Sequence, residues 1–195
     1  MARNRLHGSL PEVSEEMVSY NETATSSIRQ DWETPQEFFD VVDAEFNFTR
    51  DVCAVPETAK CDKFFSPSDN GLAQKWSGMC WMNPPYSQSI PKWLSKAYRE
   101  ACSGDATVVC LVPARMGPRW FHEFAPAAEI RLLKGRLKFV GAKTGAPFDA
   151  MLMIFHAHLD PAGIVRLWDW KKQIYPTAQL YLGRDPKEPH SRDEL

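Results

Sequence analysis

The sequence predicts an α/β fold: a mostly parallel sheet flanked by helices and ending in an antiparallel hairpin. Three observations carry this. Apolar runs over Gly78–Met82 and 107–112 end abruptly at Asn83 and Pro113, as strands buried on both faces do. Segments with apolar residues at helical spacing precede and separate these runs. Two more strand candidates, over 129–140 and 148–156, lie close together on either side of a glycine-containing loop.

Each element has its own local cause. Thr34, Pro35 and Glu37 match an N-cap, a first helical position and a capping-box acid, so a helix is expected to start there. Phe38, Val42 and Phe46 give it an apolar face, and a short strand is expected to end near Asp51. Ile90, Leu94, Ala97 and Ala101 form a second amphipathic helix, stopped around Gly104. Gly117-Pro118 opens a short third helix carrying Trp120, Phe121 and Phe124. The 129–140 strand is expected to be interrupted at Gly135, and a weaker strand follows over 164–170 after a turn at 160–163.

The 195 residues suffice for one domain with a core, here drawn over 31–182. Residues 1–30 are polar and without period, and 183–195 share that character, so they are expected to be an arm and a tail. No apolar run is long enough to cross a membrane. No secretory h-region follows the charged start, so the terminal Arg192-Asp193-Glu194-Leu195 is not expected to act as a retention signal. A net charge of −2 argues against non-specific coating of nucleic acid but leaves room for one basic face. The five cysteines are odd in number and lack Cys-x-x-Cys spacing, which suggests free thiols in a reducing cytoplasm. His122, His156 and His158 show no ligand spacing, so no metal site is expected.

In open α/β sheets, ligands bind beyond the carboxyl ends of the parallel strands, which directs attention to Asp51, Asn83 and Pro113. Asn83-Pro84-Pro85-Tyr86 is the most informative segment. An exocyclic amino nitrogen such as that of adenine is a poor nucleophile, because its lone pair is delocalised into the ring. Acceptors on both N–H bonds would localise that pair: the Asn83 side-chain oxygen and the Pro84 carbonyl. Prolines donate no N–H and stiffen the loop, and Tyr86 offers a ring on which an extruded base stacks. Positioning and aimed hydrogen bonds are then the whole apparatus, so no metal or general-base histidine is required. The tetrapeptide alone is also a common stiff turn after a strand.

A wider pattern surrounds it: Asp31-Trp32-x-Thr34-Pro35, Asp51-x-Cys53-Ala54, Asp69-x-x-Leu72-x-x-Trp76, Asn83-Pro84-Pro85-Tyr86, Leu111-x-Pro113-Ala114 and Gly135-Arg136-Leu137-x-Phe139. In order and spacing this resembles the phage-type DNA N-6-adenine methyltransferase family, the small Dam-like enzymes, over about residues 31–157. The resemblance implies a single-domain Rossmann-like methyltransferase fold, S-adenosylmethionine as cofactor, double-stranded DNA as partner, and a bacterial or phage-infected cytoplasm. By this resemblance Asn83, Pro84, Pro85 and Tyr86 are the catalytic segment. The cofactor-binding residues are Trp32, Thr34, Pro35, Asp51, Cys53, Ala54, Asp69 and Asn83. Thr34-Pro35 would lie near the cofactor's carboxylate, where a helix start favours an anion. The glycine-rich first loop of S-adenosylmethionine enzymes at large is replaced by Asp51-Val52-Cys53-Ala54.

For the substrate, Tyr86, Phe65 and Lys63 are expected at the base, and Arg115, Arg136 and Lys138 at the phosphates. They belong to a basic stretch that also includes Arg119, Arg131, Lys134 and Lys143. The fold uses up nearly all of 31–157, so a short or degenerate DNA target is expected. Adenine in RNA, a protein glutamine amide, and a non-catalytic nucleic-acid-binding module of the same fold are the competing readings.

Overall fold

Helix α1 (Gln36–Phe46) buries Phe38, Phe39, Val42 and Phe46, and burial of each such side chain stabilises by about 1.5–3 kcal/mol. Asn47 ends it in the left-handed conformation, donating its N–H to the Asp43 carbonyl at 2.7 Å. In the computed structural model the described residues are 32–159, 163–174 and 179–181. Asp31, the arm over 1–30, the turn residues 160–162 and the tail over 183–195 lie outside them. The start of α1 corrects the sequence reading. Pro35, not Thr34, is the N-cap residue, and its carbonyl accepts the N–H groups of Phe38 and Phe39. Thr34 makes no capping bond because its hydroxyl is turned toward Asn83.

Strands β1 (Arg50–Asp51), β2 (Gly78–Met82) and β3 (Ala106–Pro113) follow, with helix α2 (Ile90–Cys102) crossing between β2 and β3. Helix α3 (Arg119–Phe124) leads to β4 (Glu129–Leu133), and then come β5 (Ala150–Phe155), β6 (Ile164–Trp168) and β7 (Gln179–Tyr181). Among the described residues these form one sheet of seven strands in the order β1-β2-β3-β5-β4-β6-β7. β3 and β4 are each antiparallel to β5, so β1, β2, β3, β4 and β6 all point the same way. The fold is the Rossmann-like α/β class the sequence predicted.

The expected hairpin is the β4–β5 pair, but it is folded into the sheet rather than placed at its end. All six residues of β5 are buried, and an apolar strand of this kind is stable only with neighbours on both edges and cover on both faces. The strand predicted over 129–140 stops at Leu133. Gly135 turns the chain at φ 76°, and Leu137 and Phe139 then enter the core from a loop.

Alternation along the strands divides the core into two layers. Cys80, Met82, Val108, Cys110, Val112, Met151 and Met153 pack against α2 and α3. Trp81, Val109, Leu111, Leu152 and Ile154 face α1 and the 137–148 loop on the other side. The carboxyl ends of β1, β2 and β3, with Asp51, Asn83 and Pro113, therefore share one edge of the sheet, as the strand-end rule required.

Candidate active site

Asn83 follows β2 directly, and its side chain is fixed by contacts far away in sequence. Its amide nitrogen donates to the Trp32 carbonyl at 2.5 Å and to the Thr34 hydroxyl at 3.1 Å. Its oxygen, Oδ1, is buried and has no hydrogen-bond partner. A buried amide oxygen without a donor costs about 1–3 kcal/mol, so Oδ1 is an acceptor able to take an N–H group. The following prolines hold the loop: the Pro85 carbonyl accepts the Ser87 N–H at 2.8 Å.

Tyr86 completes the segment. Its hydroxyl donates to the Leu111 carbonyl on β3 at 3.2 Å, and burial pushes the phenol well above its usual range, so it stays a donor. Its ring meets Phe148 and Phe139 edge-on at 5.5 and 6.0 Å, and both rings also pack on Trp32, at 5.3 and 5.4 Å. Trp32, Tyr86, Phe139 and Phe148 thus form an apolar wall beside Asn83. Sequence reasoning gave no role to Phe139 or Phe148. The signal for Phe139 was present in Gly135-Arg136-Leu137-x-Phe139, whereas Phe148 carried none.

Seven of the eight residues expected at the cofactor fall into two groups, and Asp69 stands apart from both. Trp32, Thr34 and Pro35 lie with Asn83, and Thr34 is 2% exposed. Asp51, Cys53 and Ala54 lie at the neighbouring strand end, where Asp51 organises the loop. One of its carboxylate oxygens accepts the Cys53 N–H and the other the Lys60 N–H, both at 3.1 Å. The Ala54 N–H is bound by the Phe65 carbonyl, so this loop has an internal framework where glycine-rich loops offer free amides. Asp69 is exposed and caps its own turn, accepting from the Ser66 N–H at 2.8 Å and hydroxyl at 2.6 Å; these bonds lower its pKa. The Asp69-x-x-Leu72-x-x-Trp76 pattern is a folding unit: Trp76 is fully buried and its indole N–H donates to the Gly71 carbonyl at 2.8 Å.

Burial raises the Asp51 carboxyl from 3.8 to about 6, overriding the lowering influence of the two amides and of Lys60. A raised folded-state pKa gives stability that is complete below 3.8 and is lost as the pH rises through about 6. Unfolding of wild type and Asp51→Asn should therefore be compared across that window. The difference is expected to move in the variant's favour with rising pH and to flatten above it. A pH-independent difference would contradict the assignment.

The basic residues separate by environment. Arg115, Lys138 and Lys143 are exposed, and Arg136 is exposed with a loose ion pair to Asp149 at 3.7 Å. Arg131 corrects the sequence reading: it is 4% exposed and bonded to Glu45 and Glu129, so it cannot face phosphates. Lys134 is paired with Asp169 at 2.8 Å. Lys63 is exposed, while Phe65 packs on the α2-side core with the Arg50 guanidinium 4.6 Å over its ring. Among the described residues no group of three His, Cys, Asp or Glu side chains is arranged to hold a metal, and no helix is long and apolar enough to cross a membrane.

Asn-Pro-Pro-Tyr thus stands at the carboxyl end of an inner strand of a Rossmann-like sheet, the placement that the resemblance to methyltransferases implies. Comparison with known proteins agrees: the family model described as DNA N-6-adenine-methyltransferase (Dam) matches residues 21–173. The chain belongs to that family. It is 31% identical over 134 residues to the DNA N-6-adenine-methyltransferase of Haemophilus phage HP1 (strain HP1c1), covering 64% of this chain and 77% of the relative.

Proposed function

We propose that this protein transfers a methyl group from S-adenosylmethionine to the exocyclic amino group of an adenine turned out of double-stranded DNA. The observation that carries this reading is the buried, unpartnered Oδ1 of Asn83 at the end of β2. When bound, S-adenosylmethionine supplies an electrophilic sulfonium methyl. The site suits such a group: a buried acceptor stands beside an apolar wall, at the strand edge where α/β folds hold nucleoside ligands. Trp32, Pro35, Asp51, Cys53, Ala54 and Asp69 would hold it, while the Thr34 hydroxyl beside them is bonded to Asn83.

The chain's own residues do the rest. Asn83 Oδ1 and the Pro84 carbonyl accept the two N–H bonds of the adenine amino group and draw its lone pair out of conjugation. Nitrogen gains the methyl carbon and gives up one proton to solvent. Pro84 and Pro85, which cannot donate, keep competing N–H groups away. Tyr86 supplies the ring on which the extruded base stacks. Arg115, Arg136 and Lys138 bind phosphates, and Lys63 and Phe65 flank the base. All five cysteines are free, in keeping with a cytoplasmic, DNA-containing compartment.

Transfer of labelled methyl groups to duplex DNA, RNA and protein tests the polymer; label confined to RNA or protein would overturn the proposal. For Tyr86→Phe, stacking survives and only the bond to Leu111 is lost, a cost of about 0.5–1.5 kcal/mol in stability. Turnover within a few-fold of wild type is expected, while Tyr86→Ala should weaken capture of the base strongly. Equal losses in the two variants would place the function in the hydroxyl instead of the ring.

A further inference from the structure

Thr34 stands just before α1 yet does not cap it, and its buried hydroxyl is spent on the Asn83 amide. The other N–H of that amide goes to the Trp32 carbonyl. A carbonyl can only accept, so the group facing Trp32 must be the NH2, which leaves Oδ1 as the end of the amide free to accept. Two acceptors on two N–H bonds also fix the plane of the group. Rotated by half a turn, the same side chain would offer donors to the adenine amino group, which is itself a donor.

The acceptors are themselves braced. The Trp32 ring is packed against both Phe139 and Phe148, and the intervening Glu33 carbonyl accepts the Val140 N–H at 3.1 Å. Nothing local to Asn83 would select this rotamer; it is imposed by a segment 49–51 residues away in the chain.

We propose that Thr34, together with the Trp32 carbonyl, is a clamp that holds Asn83 Oδ1 in its accepting orientation, making Thr34 a positioning residue for methyl transfer. The inference rests on the reaction proposed above and gives Thr34 a task distinct from binding the cofactor. Thr34→Val preserves shape and deletes the acceptor, while Thr34→Ser keeps the hydroxyl.

The test measures kcat, the KM for DNA and the dissociation constant for S-adenosylmethionine in both variants, beside a double-mutant cycle of Thr34→Val with Asn83→Ala read by thermal unfolding. Thr34→Val is expected to lower kcat about 10- to 100-fold, with both binding constants within about twofold of wild type and Thr34→Ser close to wild type. The unfolding effects of Thr34→Val and Asn83→Ala should be non-additive, because each removes the same bond. A wild-type kcat in Thr34→Val, a loss confined to S-adenosylmethionine binding, or additive unfolding effects would overturn the clamp. Wild-type protein that methylates no DNA would defeat the proposed reaction instead, and the unfolding cycle would still decide whether Thr34 holds the amide.

Discussion

Asn83→Ala is expected to lower methyl transfer to DNA by about 10²–10³-fold or more, the loss that follows removal of one preorganised hydrogen-bonding group from an active centre. The reason is geometric. Oδ1 is the side-chain acceptor left open at this strand end, and alanine provides nothing in its place. Cofactor affinity should fall only modestly, since the apolar wall of Trp32, Phe139 and Phe148 does not depend on the amide. Stability should fall by about 1–3 kcal/mol at most, because the Trp32 carbonyl and the Thr34 hydroxyl lose their donor while the removal of an unpaired buried oxygen offsets part of that cost. Single-turnover transfer alongside equilibrium cofactor binding checks both halves, and near-normal turnover in Asn83→Ala would remove this residue from the chemistry.

The largest stability effect is expected at Glu129, away from Asn83. Its carboxylate is only 9% exposed and receives Arg131 Nε at 2.8 Å, Arg166 Nε at 3.1 Å and His156 Nε2 at 3.0 Å. Burial by itself would raise its pKa, but the His156 bond and the two guanidinium groups win and draw it down from 4.5 to about 2. Arg131 in turn lies over the rings of Phe46 and Trp168, at 5.3 and 5.6 Å, and bonds Glu45 through both terminal nitrogens. Glu129→Ala leaves a buried guanidinium short of one partner, which should cost about 3–5 kcal/mol, or roughly 10 °C in melting temperature for a domain of this size. A lowered pKa gives stability that is complete above 4.5 and is lost as the pH falls through about 2. The melting curves of wild type and variant should therefore converge over that acid range. A small, pH-independent difference would show that the network is not a source of stability.

What could be read from the sequence was what is decided locally. β2 and β3 announce themselves because an unbroken apolar run stopped by Asn83 or Pro113 has few other places to go. α1 and α2 follow from spacing, and Asn83 to Tyr86 followed from the chemistry of an amino group. The misjudged features depend on partners distant in sequence. Thr34 has every local mark of an N-cap, and its role changes only because Asn83 arrives beside it. Arg131 looks like one more surface cation until β6 and α1 bring Arg166, Glu45 and two aromatic rings around it. The central place of β5 is likewise set by what pairs on either side of Met151 to Phe155, which no periodicity encodes.

One measurement tests adenine methylation by Asn83 most directly: mass spectrometry of the nucleosides released from duplex DNA after incubation with the protein and S-adenosylmethionine carrying an isotopically labelled methyl group. The predicted result is N6-methyladenine bearing the label, formed by wild type and not by Asn83→Ala. Label on a cytosine, or labelled N6-methyladenine formed equally well by the variant, would contradict it.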